Sequence, residues 1–455
     1  MKNFLSMLLL IVWFSLQVQA QDAARPDNSP PILGDYPSTP AGEGKADIDV
    51  SIPIPVEYLP GVTENVWSTP VAWSFVDTIS WNPINNFGFS LGANGGYISN
   101  VYPNSIEKQS STLSALSARV FTNLGQTKSR LHLDYEAGYR IYQQENSMNG
   151  VSHHGSINYA YRPNRKMEFQ LWDTFSSSLN DPLDTNTFSL SDFNLLPSAA
   201  YDVYFMPQRT TQNSAQARFS INLTSSTLVN ITGSYDSYWY EQLFDDAHTA
   251  KGGIGLNQRI TDWLSLSTSY SFYLNDVSEN LREQQIHHVE IGKFQFNLSQ
   301  NVEVFASGGI EITEIDNRYR VQEMAQVGIS RNTPTNTLHA SYQRAMLSIF
   351  GYHRILPSDT VTIGLGQRIT DRTSFQLNGS YRRSQDFNDS GLLRSYSGGA
   401  QFEYALTSTL FASVNYTYQY QNNSIQIFAD LPHFNRSMVF VGLQYAWPPL
   451  QLKGK

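Results

Sequence analysis

Between Asn86 and Trp447 apolar and polar residues alternate in runs of about ten, and short polar turns separate the runs. Leu223-Thr-Ser-Ser-Thr-Leu228, Arg259-Ile-Thr-Asp-Trp-Leu264, Arg368-Ile-Thr-Asp-Arg-Thr373 and Tyr404-Ala-Leu-Thr-Ser-Thr-Leu410 are four such turns. Successive strand side chains point to opposite faces, so each run has one apolar and one polar face. This dyad pattern, repeated behind a secretion signal, predicts an all-β fold: a transmembrane antiparallel up-and-down β-barrel.

Eighteen strands are expected, near 86–97, 111–123, 129–142, 151–162, 166–178, 209–222, 227–240, 248–259, 263–274, 284–298, 301–312, 318–330, 336–347, 358–369, 373–384, 393–406, 409–421 and 435–447. Ten-residue spans suit a hydrocarbon core of ~30 Å. Connections 2–3, 4–5 and onward are short. The longer ones are 98–110, 143–150, 179–208, 275–283, 348–357, 385–392 and 422–434, and the two sets are expected to alternate without exception. With both termini in the periplasm, the long set faces outside.

In the ninth strand Leu264, Leu266, Thr268, Tyr270 and Phe272 oppose four serines. In the seventeenth, Ala412, Val414, Tyr416, Tyr418 and Tyr420 oppose Ser413, Asn415, Thr417 and Gln419. In the third, Leu131, Leu133, Tyr135, Ala137, Tyr139 and Ile141 oppose His132, Asp134, Glu136 and Arg140. A lipid-facing Arg or Lys at mid-bilayer costs ~2–4 kcal/mol, so the charged set faces the lumen. Two strands break phase. In the fifth, Met167, Phe169 and Leu171 lead to Asp173; in the tenth, Phe294, Phe296 and Leu298 lead back to Glu290. Either a bulge switches the phase or these charges lie above the hydrocarbon, which leaves sixteen strands open as an alternative.

The N-terminus supplies the secretion signal. Met1-Lys2-Asn3 precede an apolar run from Phe4 to Leu16 and a Val18-Gln19-Ala20 cleavage site, so residues 1–20 read as a signal peptide cut before Gln21. Thirteen apolar residues are too few to span a bilayer as a helix. Residues 21–85 hold ten of the twenty prolines and read as a periplasmic arm, or as a plug docked through Ser51–Leu59 and Val66-Trp67. Residues 86–447 form the barrel and 448–455 a periplasmic tail.

Composition narrows the function. The chain holds 26 Tyr, 25 Phe and 8 Trp within 40% hydrophobic residues, which suits aromatic girdles around a polar lumen. The absence of cysteine excludes disulfides, thiolate metal sites and a lipid-modified N-terminus. A net charge of −9 argues against nucleic acid as partner. The pairs His153-His154 and His287-His288 cannot chelate one metal from a regular strand, since neighbours point apart, and they read as solvated loop-edge residues. No local sequence marks one serine as a nucleophile, so no enzymatic activity, cofactor or metal is expected.

The lumen-facing candidates are His132, Asp134, Glu136, Arg140, Arg218, Glu303, Glu311, Arg382 and Glu403, acting as an electrostatic filter or as cross-strand ion pairs that stiffen the wall. The loop 179–208 carries Leu190, Phe193, Leu195, Leu196, Tyr201, Tyr204 and Phe205, too apolar for free solvation, and is a candidate constriction or rim cover.

The turn-and-strand sentences Gln258-Arg-Ile-Thr-Asp-Trp-Leu-Ser-Leu-Ser-Thr-Ser-Tyr270, Gln367-Arg-Ile-Thr-Asp-Arg-Thr-Ser-Phe-Gln-Leu-Asn-Gly-Ser-Tyr381 and Tyr404-Ala-Leu-Thr-Ser-Thr-Leu-Phe-Ala-Ser-Val-Asn-Tyr416 resemble hairpins of the β-barrel porin 2 group of Gram-negative outer-membrane proteins. The resemblance covers 86–447 and implies a context beside exopolysaccharide export. The last strand, Val439-Phe-Val-Gly-Leu-Gln-Tyr-Ala-Trp447, resembles a C-terminal outer-membrane assembly signal, although the chain continues through Pro448-Pro449 to Lys455. Expected partners are outer-membrane lipid, the barrel-assembly machinery and polysaccharide export components. The expected role is a passive aqueous channel for small solutes or a polysaccharide, or else a non-conducting anchor for an export complex.

Overall fold

The computed structural model describes residues 86–101, 109–126, 128–179, 209–240, 246–277, 284–299, 301–315, 318–333, 335–349, 354–385, 391–425, 433–447 and 450–451. The signal segment, the arm 21–85, the seven apolar side chains singled out in 179–208 and residues 452–455 lie outside the described residues.

Eighteen long strands follow one another: β1 (Asn86–Ile98), β2 (Ser111–Gly125), β3 (Ser129–Tyr142), β4 (Gly150–Asn164), β5 (Met167–Leu179), β6 (Arg209–Asn222), β7 (Thr227–Tyr240), β8 (Ala247–Arg259) and β9 (Leu264–Val277) complete the first half. The second half is β10 (Gln284–Ser299), β11 (Val302–Ile315), β12 (Arg318–Asn332), β13 (Asn336–Ile349), β14 (Arg354–Thr370), β15 (Thr373–Gln385), β16 (Leu392–Ala405), β17 (Leu410–Asn423) and β18 (Phe434–Ala446). Each pairs antiparallel with the next, and β18 pairs with β1 from Ser90↔Ala446 to Ile98↔Met438, so the sheet closes into a barrel of eighteen strands, not sixteen. Closure removes the two free edges and pairs backbone groups across the seam. A two-residue strand, β19 (Leu450–Gln451), returns past the prolines to pair with Asn86 and Phe87.

Short turns mark one end of the barrel. A threonine hydroxyl accepts a backbone N–H in several of them: Ser226 N–H to Thr224 at 3.1 Å, Arg372 N–H to Thr370 at 3.1 Å and Leu410 N–H to Thr407 at 3.0 Å. This side-chain mimic of a turn hydrogen bond explains why threonine recurs in the turn sentences.

Three expectations need correction. The connection between β11 and β12 spans only 316–317, so long and short connections do not alternate without exception. These two strands run to an Ile315↔Arg318 pair and leave no chain for a loop. β14 begins at Arg354 rather than 358. Pro357 is tolerated because the β15 ladder starts only at Ser358↔Ser384, so its missing N–H faces an unpaired side. His153 and His154 lie within β4, not at a loop edge, and the Tyr135 hydroxyl is 2.8 Å from His153 Nδ1.

The two phase-breaking strands differ. β10 carries a bulge between Glu290 and Lys293, after which Lys293 and Gln295 face inward and Phe294 outward. β5 is regular against β6, so Asp173 stays on the outward phase and accepts Asn213 Nδ2 at 2.8 Å.

Outward side chains are apolar and exposed: Leu116 is 61%, Ile363 55% and Val441 56% accessible. On the same strands Ser117, Thr362 and Gln444 are buried on the inward side.

Candidate lumen wall and mouth

Antiparallel partners share a face, so the register places every described side chain on one phase or the other. His132, Asp134, Glu136 and Arg140 of β3 face inward opposite Asn123, Phe121, Arg119 and Ala115 of β2. Arg218 pairs with Gln170 and Thr232, Glu303 with Asn297 and Ser330, and Glu311 with His288 and Gln322. Arg382 pairs with Thr360 and Ser395, and Glu403 with Ser374 and Ser413. All nine lie on the inward phase, but they are spread around the wall rather than gathered into one ring.

Several are tied to neighbours. Arg119 Nε donates to both oxygens of Asp134, at 3.0 and 2.9 Å, and His132 Nε2 stands 3.7 Å from the same carboxylate. His132 Nδ1 meets Asn123 Oδ1 at 2.7 Å. This network crosses β2 and β3 at the short-turn end. Arg218 lies over the Trp172 ring at 5.2 Å, and Arg382 Nε donates to Ser384 Oγ at 3.0 Å. Charge-assisted bonds of this kind hold side chains against the wall and limit how far they project.

Several inward groups escaped the sequence reading. Asp236 pairs with Lys251 at 2.8 Å and accepts Ser214 Oγ at 2.5 Å. Arg436 donates to Gln419 Oε1 through Nε at 3.1 Å and Nη2 at 2.9 Å. They belong to the polar phase of their strands, and complete phasing of β7, β8 and β18 would have marked them.

Three inward aromatics each occupy the space beside a glycine on the facing strand. Phe305 covers Gly328 and Phe440 covers Gly96, where a Cβ would run into the ring. Phe121 opposes Gly88 in the same way. Lys293 Nζ rests 5.2 Å over the Phe305 ring, so a basic group and an aromatic share this stretch of wall.

The long-loop end holds an apolar cluster inside the barrel mouth. Ile98, Leu113, Tyr142 and Met438 from the wall pack with Val101 of the first loop and Met148 of a short 3-10 turn, and Phe440 lies against them. The loop is pinned by Ser99 N–H to Ser437 O at 2.9 Å and by Asn100 Nδ2 to Asn435 O at 3.3 Å. Arg436 Nη1 reaches Val101 O at 3.4 Å. This cluster is separate from the residues expected to narrow the passage in 179–208, which lie outside the described residues. Its signal in the sequence is apolar residues on the polar phase: Ile98, Leu113, Tyr142, Met438 and Phe440.

The wall has one short ladder. β12 and β13 pair from Asn332↔Thr337 to Ala325↔Arg344 and stop, although β12 continues to Arg318 and β13 to Ile349. The Glu311 carboxylate accepts Met346 N–H at 2.5 Å across the gap, and Thr313 Oγ1 meets Met346 Sδ at 2.9 Å. With its amide oriented to satisfy both groups, Gln322 Oε1 accepts from Arg344 Nε at 3.1 Å and Nη2 at 3.2 Å.

Among the described residues no three His, Asp or Glu side chains converge as a metal site. No family model matches the chain, and no curated protein does either. Solved structures similar to it include OccAB3 of Acinetobacter baumannii, 12% identical over 79% of this chain and 99% of that chain, with a TM-score of 0.41. OpdQ of Pseudomonas aeruginosa is 9% identical over 80% of this chain and 98% of that chain, with a TM-score of 0.43. OccK2 (OpdF) of Pseudomonas aeruginosa is 9% identical over 79% and 98%, with a TM-score of 0.42.

Proposed function

We propose that this chain is an outer-membrane channel through which small polar solutes pass passively. The observation that carries the reading is the closed eighteen-strand ladder, with an exposed apolar outward phase and a polar, charged inward phase. Exposed apolar surface of this extent suits contact with lipid, and a closed barrel leaves no free sheet edge within it. A barrel of this strand number has room for an aqueous lumen. The long-loop end faces outside and the short turns face the periplasm.

Among the described inward residues, Arg119, Arg130, Arg140, Arg162, Arg218, Lys251, Arg259, Lys293, Arg320, Arg382 and Arg436 face Asp134, Glu136, Glu168, Asp236, Glu303, Glu311 and Glu403. The basic set is the larger although the whole chain carries −9, so anions are the favoured solutes. A second reading, a non-conducting anchor for an exopolysaccharide export complex, is supported by the mouth cluster, in which Ile98, Tyr142 and Met438 expose no surface. Assembly would use the outer-membrane barrel machinery.

Single-channel recording in planar bilayers separates the two. The channel reading expects stepwise currents with anion-favouring reversal potentials in a salt gradient. Silence across many insertions, before and after removal of 21–85 and of the centre of 179–208, leaves the anchor reading in its place.

A further inference from the structure

We propose that Arg383 and Arg394 form a binding site for the phosphate of an outer-leaflet glycolipid. The proposal rests on the outer-membrane reading and concerns the outward face, away from the passage.

Arg383 of β15 and Arg394 of β16 are direct ladder partners, and both are exposed on the outward phase. Like charges opposite one another on one face of a sheet destabilise it unless something neutralises them. Among the described strand neighbours one carboxylate offers that charge, and it is already shared. On the β14 side Arg383 opposes Asp359, but that carboxylate accepts the Tyr342 hydroxyl at 2.8 Å and pairs with Arg344 at 3.9 Å. On the β17 side Arg394 opposes Asn422, whose Oδ1 lies 3.1 Å from His433 Nδ1. The row thus holds two adjacent guanidinium groups, with a carboxylate shared with Arg344 on one side and an amide and an imidazole on the other.

Position along the strands fits the same ligand. Two residues closer to the short-turn end lies a row of outward tyrosines, Tyr381, Tyr396 and Tyr420, with ring centroids 4.8 and 5.6 Å apart. Below them the outward phase turns apolar through Leu377 and Val414. Apolar belt, tyrosines, then arginines is the order of hydrocarbon, interface and phosphate at a bilayer surface. Guanidinium forks match phosphate oxygens bidentately, and two side by side fit one phosphate better than two lysine ammoniums would.

The probes are purified lipid A and its dephosphorylated form, added to the full chain in detergent and followed by native mass spectrometry. Wild type should hold the phosphorylated form at least ten times more tightly. The pair Arg383→Ser/Arg394→Ser should lose that preference, with Arg383→Lys/Arg394→Lys intermediate. Arg368→Ser, which removes one positive charge at the short-turn end, should behave as wild type. Heat-modifiable gel mobility verifies folding of each variant, and single-channel currents should be unaltered in the arginine pair. Equal retention of both lipid forms, or of lipid A by wild type and the serine pair, overturns the proposal. So does displacement by millimolar inorganic phosphate, which would assign the pair to a free anion. Lipid binding as expected in a protein that passes no current would leave the site standing and remove the channel reading.

Discussion

The ladders β15–β16 and β12–β13 stand three apart in one wall and are built differently. The first is zipped from Thr373↔Tyr404 to Gln385↔Leu392, so its backbone groups pair with each other along the whole length. The second stops at Ala325↔Arg344, beside the charged pair of Arg344 with Asp359 and above Tyr342. Unpaired strand edges are not tolerated in hydrocarbon, where each orphaned group costs several kcal/mol. The gap opens beside the outward charges Arg344 and Asp359, where the proposed membrane reading puts water or headgroups. There, lumen-facing side chains replace the ladder: Glu311 takes the Met346 N–H, and Gln322 takes Arg344. On the outer-membrane reading the zipped ladder is what hydrocarbon requires, and the open one is available for side-chain control.

The largest expected effect tests the zipped side. Val414→Arg places a charge on the outward face of β17 and should cost ~2–4 kcal/mol, seen as loss of the folded band and of outer-membrane yield. Ser413→Arg, one residue away on the inward phase, should fold and alter conductance. Equal loss in both would break the assignment of faces.

Next is Gly328→Val, which forces Phe305 off the glycine it covers in the zipped half of β11–β12. Overpacking should lower unfolding stability by about 1–3 kcal/mol in a urea titration. Unchanged stability would mean that the ring is free to leave.

Glu311→Ala removes the latch of the open ladder. Leaving the Met346 N–H without its acceptor costs roughly 1–3 kcal/mol, so amide exchange at 345–349 should quicken at least tenfold while that at 393–397 stays fixed. Glu311→Gln should recover part of the protection. Equal acceleration in both regions would deny that the ladders differ.

The smallest effect concerns the mouth. Val101→Ser removes one apolar member of the cluster, loosens the first loop and should raise single-channel conductance modestly with no change in stability beyond about 1 kcal/mol.

Alternation made the faces legible from Leu131 to Ile141 and from Ala412 to Tyr420, because one residue of slip would turn every charge toward lipid. Strand ends followed from the threonine turns. What stayed hidden depended on partners far along the chain. Nothing in β12 alone says that its pairing with β13 ends at Ala325, since the substitute acceptor, Glu311, comes from β11. The β10 bulge showed as a broken phase, but β5 breaks phase as strongly and carries no bulge, because Asn213 on the neighbouring strand satisfies Asp173 instead. The nine inward candidates were read from phase. Their ties, such as Arg119 to Asp134, are cross-strand and needed the register. Apolar residues on the polar phase mark the mouth cluster in the sequence, a weaker signal than the run of apolar residues in 179–208, which lies outside the described residues.

The central claim is that one phase of these strands meets water in a passage and the other meets lipid. The chain has no cysteine, so single-cysteine variants report without background. The most direct measurement is current through Ser413→Cys and Val414→Cys channels in planar bilayers while a charged, water-borne thiol reagent is added. A stepwise fall in current at Ser413→Cys, with Val414→Cys unreactive, is the predicted result. Reaction at Val414→Cys with Ser413→Cys protected would contradict it.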